Sequence, residues 1–191
     1  MASPTEFPTP KFVTGGCLCG ALRYRVDFPK EHDFKKMSST CQCTQCRRNT
    51  GSLFFPCHSV EPASGFTWLT RGPEPQSFSQ PPAQFRTYSA SPGRYRGFCD
   101  TCGSFITYHK DGSDGLSVLV GTVDPLYLWG EGADGTTEVE GQVVPREGYG
   151  LALVGGFGSN EFCGNEIKGV TDGLPLLGVG RGQRFEGDMD A

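Results

Sequence analysis

The placement of cysteine constrains this chain more than any other feature. Seven of its nine cysteines fall into three tight groups. Cys17 and Cys19 lie in Gly15-Gly-Cys-Leu-Cys-Gly20, Cys41, Cys43 and Cys46 in Cys41-Gln-Cys-Thr-Gln-Cys46, and Cys99 and Cys102 in Cys99-Asp-Thr-Cys-Gly103. An odd number of cysteines sits badly with a closed disulfide framework. The first ten residues carry neither the charged region nor the apolar run of a secretory leader. The expectation is therefore an intracellular, cytoplasmic setting, where clustered cysteines are metal ligands or redox groups rather than structural disulfides.

Two thiolates three positions apart, followed by a glycine that permits the turn, fold around one ion. Such a Cys-x-x-Cys knuckle fills half of a tetrahedral zinc shell and needs a second pair. Cys17 and Cys19, also followed by glycine, complement Cys99 and Cys102. The four make a closed, structural site that pins the N-terminal strand to a distant segment. Cys41, Cys43 and Cys46 remain as a local triple, and three ligands with an open position is the pattern of a reactive zinc. The expectation is two zinc ions per chain. In the alternative, Cys57 closes the second site and leaves no chemistry. The alternation of Phe54-Phe-Pro-Cys-His-Ser-Val60 favours a Cys57 that faces the core with Phe55. Cys163, amid glycine and asparagine, reads as an unligated cysteine.

Three histidines are too few for a His-rich hydrolytic zinc site. His32, in Lys30-Glu-His-Asp33, reads as solvated, and His58 and His109 as structural or pocket-lining. Zinc with three thiolates is negative overall, whereas zinc with three neutral imidazoles is doubly positive. Its power to acidify water is blunted while its affinity for another soft sulfur remains. An incoming thiol bound there is deprotonated, and the thiolate is the nucleophile. Such a site suits a small-molecule thiol that adds to an electrophile or leaves an adduct. Arg47 and Arg48, directly after the triple, could offset the anionic centre and bind carboxylates of an acidic thiol.

The rest of the chain reads as a turn-rich, all-β protein. It has 28 glycines, 14 prolines and 12% aromatics, with no glycine repeat. Ala21–Val26 alternates, with Leu22, Tyr24 and Val26 on one face, as a half-buried strand does. Further strands are expected within 53–60, 66–69, 84–88, 95–98, 105–109 and 116–123, and no more than one helical turn over 45–50. The stretch 130–141 reads as a polar loop or hairpin. Residues 148–158 are glycine-rich but fit neither a Walker loop nor a dinucleotide fingerprint, so a glycine-bent strand is expected. A net charge of −4 argues against nucleic-acid and anionic-membrane partners. No apolar run reaches the roughly 18–20 residues of a membrane span. Residues 1–10 read as a loose arm and 11–191 as one domain, with its core in 11–125 and an extension over 126–191.

Residues 15–24, 41–52 (Cys-Gln-Cys-Thr-Gln-Cys-Arg-Arg-Asn-Thr-Gly-Ser) and 97–104 (Gly-Phe-Cys-Asp-Thr-Cys-Gly-Ser) resemble the glutathione-dependent formaldehyde-activating (Gfa) family, which includes centromere protein V. The likeness runs through Val120-Gly-Thr-Val-Asp124, and Ile167–Pro175 is similar to a segment of fungal-type members. The resemblance implies an all-β, Mss4-like fold with a structural zinc at Cys17, Cys19, Cys99 and Cys102. It implies a second, labile zinc at Cys41, Cys43 and Cys46. The implied activity is a carbon–sulfur lyase that joins glutathione and formaldehyde into S-hydroxymethylglutathione. The same site could serve another electrophile in specialised metabolism, or a glutathione-binding module without turnover. Where the family commonly carries histidine inside the triple, this chain has Gln42, which removes a candidate proton carrier.

Overall fold

The computed structural model describes residues 7–69 and 74–187. Of the arm expected over residues 1–10, residues 1–6 lie outside the described part. Phe7 stacks on Phe157 with ring centroids 5.5 Å apart, and Pro10 is buried.

Two strands, β1 (Phe12–Gly16) and β2 (Arg23–Asp27), form an antiparallel hairpin. The short helix α1 (Phe34–Met37) precedes β3 (Ser38–Cys41), α2 (Thr44–Thr50) and β4 (Phe55–Val60). The chain then returns to the first hairpin through β5 (Phe66–Trp68) and β6 (Gln76–Ser77). A meander of β7 (Phe85–Ser91), β8 (Arg94–Cys99), β9 (Phe105–Lys110) and β10 (Leu116–Leu119) follows. After α3 (Pro125–Trp129), β11 (Glu138–Val139) and β12 (Gln142–Val143) make a small hairpin. The last elements are α4 (Gly150–Val154), β13 (Ser159–Glu161) and β14 (Gln183–Arg184).

The fold is mainly β, as expected. One sheet has the order β1-β2-β5-β6, and a second of eight strands the order β14-β13-β3-β4-β10-β9-β8-β7. Its strands pair antiparallel except where β13 joins β3 and β14 in parallel. The core fills the space between these sheets. Leu22, Tyr24 and Val26 are buried as the alternation requires, among Phe66, Trp68, Val60, Leu116 and Val118. Arg25, on the outer face of β2, lies 3.7 Å above the centre of the Phe12 ring and pairs with Asp27 and Glu140. Asp124 ties the end of the meander to the first sheet by accepting from Arg23 Nη1 at 2.7 Å and from the Thr14 hydroxyl. Burial pushes its carboxyl up, but the bonds from Arg23 and Thr14 outweigh this and hold it below the usual range.

Two readings change. The glycine-rich stretch expected as a bent strand contains α4. Gly148 has φ +66°, and a Cβ there would lie 2.7 Å from the Leu128 carbonyl oxygen. Glycine thus allows a close backbone approach, while Ala152 and Leu153 enter the core. His32, expected in solvent, is half-buried. Phe28 and Phe34 pack on its ring at 4.8 and 4.6 Å, and its Nε2 lies 2.8 Å from Nε2 of His58.

Candidate metal centre and its cavity

The first cysteine group is built from two facing hairpin turns. Cys17 and Cys19 lie in the β1–β2 turn, and Cys99 and Cys102 at the β8–β9 turn. Gly20 and Gly103 take φ of +76° and +75°, the left-handed conformation each knuckle requires. The Leu22 amide donates to Cys17 Sγ at 3.2 Å. The Leu18 amide donates to the Ser104 hydroxyl at 3.0 Å, joining one turn to the other. All four sulfurs lie within 4.8 Å of one another, and none is in a disulfide. The donor set fits a tetrahedral soft-metal site with every position filled by protein.

The second group forms where β3 passes into α2. Cys41 ends the strand, Cys43 caps the helix, and Cys46 lies in it. Cys43 Sγ accepts from the Cys46 amide at 3.3 Å. Gly51, at φ +66°, ends the helix, which runs longer than the single turn expected. The three sulfurs also lie within 4.8 Å of one another. Hydrogen bonds from Cys41 and Cys46 push the Cys43 thiol down to about 2, while the bond to Cys43 pushes Cys41 far up. The three thiols thus titrate together rather than singly, and a bound cation would let all three ionise. Cys57 does not belong to this group. It is buried, and desolvation pushes its thiol up to about 12, so it stays neutral.

The triple opens into a cavity of about 660 Å³ on one face of the eight-stranded sheet. Ser39 and Cys41 of β3, Cys57 and Ser59 of β4, and Ser159 and Glu161 of β13 contribute to it. Their period of two is that of one sheet face. The pairing registers set Ser59, Ser117, Tyr108 and Arg96 side by side across β4, β10, β9 and β8. The hollow exists because the row starts with small side chains. The two serine hydroxyls meet at 3.3 Å, and Ser159 donates to Ser39 at 3.2 Å. The opposite face carries His58, Val60, Leu116 and Val118 into the core.

The cavity has charge at both ends. Arg94, Arg96 and Lys110 line the β8–β9 side, and Glu161 the β13 side. Arg96 is only 4% exposed. Its Nη2 donates to Gln45 Oε1 at 2.9 Å, and its guanidinium lies 5.7 Å from the centre of the Tyr108 ring. Gln45 adjoins Cys46, so one side chain couples the guanidinium to the cysteine triple.

Arg47 and Arg48, expected beside the substrate, do not line this cavity. Arg47 donates to the Asn165 carbonyl at 3.2 Å, and Arg48 is exposed. Gln42 is fully buried and also lies off the cavity. Its side-chain Oε1 accepts from the Thr171 hydroxyl at 3.1 Å, and its backbone N–H donates to the Glu161 carbonyl at 3.0 Å. It anchors the C-terminal segment. Cys163 is buried and donates to the Asn160 carbonyl at 3.2 Å. Arg96, Tyr108, Gln45 and the serines were not singled out from the sequence. The alternation of Arg94-Tyr-Arg96 and the lone serines of β4 and β10 were the signals available.

The sequence profile of the family described as "Glutathione-dependent formaldehyde-activating enzyme" matches residues 12–137, which include both cysteine groups. No curated protein matches the chain in sequence. Among solved structures, a crystal structure of a Rhodobacter sphaeroides protein from a structural-genomics programme is similar. It is 18% identical with a TM-score of 0.42, over 59% of this chain and 88% of that one.

Proposed function

This chain belongs to the glutathione-dependent formaldehyde-activating enzyme family, and on that premise we propose that it is a zinc-dependent carbon–sulfur lyase. It would join glutathione and formaldehyde into S-hydroxymethylglutathione. The observation that carries this reading is the cysteine triple, a three-sulfur group on the wall of a cavity large enough for a small-molecule ligand. Cys17, Cys19, Cys99 and Cys102 would hold a structural zinc, and Cys41, Cys43 and Cys46 a second. When bound, the second ion would supply an open position that holds a thiol sulfur as its thiolate.

The protein's own residues account for the rest. The cations on the β8–β9 side and Glu161 opposite suit a substrate that carries both carboxylates and an ammonium group, as glutathione does. The serine-floored hollow leaves room for its backbone. In the reaction the thiol sulfur forms a bond to the formaldehyde carbon, the carbonyl π bond breaks, and the oxygen takes the proton the thiol gave up. Among the described residues lining the cavity there is no histidine, and Gln42 is committed to the C-terminal segment. A proton carrier inside the triple is therefore not part of this account. Beyond the triple, the same cavity has room for an electrophile larger than a one-carbon aldehyde.

Adduct formation followed by NMR tests the reading. Wild type is expected to form the S-hydroxymethyl adduct faster than glutathione and formaldehyde do alone, and Cys43→Ser at the background rate. Serine is a good helix N-cap, so this variant keeps α2 while removing one sulfur. Glutathione binding with no acceleration would mean a binding module without turnover.

A further inference from the structure

We propose that Arg96 is the anchor for a carboxylate of the thiol substrate, and so the residue that selects acidic thiols over neutral ones. The inference rests on reading the cavity as a thiol site. It starts from an imbalance: Arg96 is among the most buried charges in the protein, yet its Nε and Nη1 are buried with no hydrogen-bond partner. A buried guanidinium with open N–H groups costs stability unless a ligand completes it.

What surrounds Arg96 narrows the choice of ligand. Gln45 takes one bond from Nη2, and Tyr108 lies against the guanidinium. No carboxylate pairs with Arg96 among the described ion pairs. Glu161, the acidic lining residue, lies on β13, and β3, β4, β10 and β9 separate that strand from β8. A planar guanidinium with free N–H groups matches a carboxylate through paired, charge-assisted bonds. Arg94 and Lys110 stand opposite each other one step further along β8 and β9. They add positive potential but are more exposed, so water weakens their contribution. Gln45 holds Arg96 beside the helix that carries Cys46. One ligand could thus place its sulfur at the triple and its carboxylate at Arg96.

Calorimetry on the zinc-loaded protein tests this with two small probes, 3-mercaptopropionate and 2-mercaptoethanol, followed by glutathione and its glycine monoethyl ester. Wild type is expected to bind 3-mercaptopropionate about 10- to 100-fold more tightly than 2-mercaptoethanol. Arg96→Met should abolish that preference, and Arg96→Lys, which keeps the charge without the planar fork, should retain part of it. If Arg96→Met does not fold, the wild-type preference and its reduction in Arg96→Lys decide the matter. Equal binding of both probes by wild type, or an unchanged preference in the variants, would overturn the proposal. So would a variant that loses the second zinc while its preference survives, because Arg96 would then serve the metal alone. If wild type shows an Arg96-dependent preference among the small probes but ignores glutathione, the anchor stands and the glutathione reading fails.

Discussion

His58 shows how far a single side chain can be specified by its partners. Its Nδ1 faces the Leu153 carbonyl at 3.1 Å and must carry hydrogen, because a carbonyl can only accept. Its Nε2 is then the acceptor, and His32 Nε2 donates to it across 2.8 Å. Burial first, and the neighbouring His32 second, push His58 down to about 3. Burial lowers His32 as well. The unfolded chain therefore takes up protons below about pH 6.5 that the native protein refuses. Stability should be full above that pH and fall as pH drops toward 3, by up to about 1.4 kcal/mol per pH unit for His58 alone. Urea unfolding between pH 7 and 4.5 checks this, with His58→Gln expected to flatten the slope by one proton. An unchanged slope would contradict the assignment. The arginines show the limit of reading residues from sequence. Arg47 and Arg48 were conspicuous beside Cys46, but neighbours one and two positions apart on a helix do not share a face. Arg96 lies far from the triple in sequence, and strand pairing brings it to the cavity.

Among the elements, the meander strands were legible as short runs bounded by glycine, proline and serine. Strand β1 was not singled out, and β2 was legible because period-two burial writes itself into sequence. Tyr24 and Val26 face in while Arg23 and Arg25 face out. Of the helices, only one turn of α2 was legible. None among the described residues exceeds seven residues, too short for an apolar period, and α4 hides among glycines that allow close packing. Strand β13 was also missed, since Ser159-Asn-Glu161 has little strand character. Its place is fixed by Asn160, which is fully buried. The Asn160 side chain accepts from the Thr40 hydroxyl at 2.6 Å and donates to the Gly156 and Gln183 carbonyls, both at 3.3 Å. Asn160→Ala strands all three partners and should cost about 3 kcal/mol, a melting temperature lower by roughly 6–12 °C. A shift of under about 2 °C would show that these bonds do not hold the C-terminal segment to the sheet.

For the molecule as a whole, the two cysteine groups differ in what they join. Cys17 and Cys19 belong to a hairpin of the four-stranded sheet, and Cys99 and Cys102 to the eight-stranded one. An ion there would bind the two layers together and contribute folding energy directly. The triple lies within one local turn and opens into the cavity, so an ion there could leave without separating the sheets. The division into a closed and an open group was legible from spacing. The charged walls were not, because they arise only when distant strands pair. Zinc content followed during titration with a chelator tests the division most directly. Wild type should carry two zinc ions, one released readily and one only on unfolding, with Cys43→Ser retaining the resistant ion and Cys99→Ser failing to fold. A single zinc, or two that leave together, would contradict it.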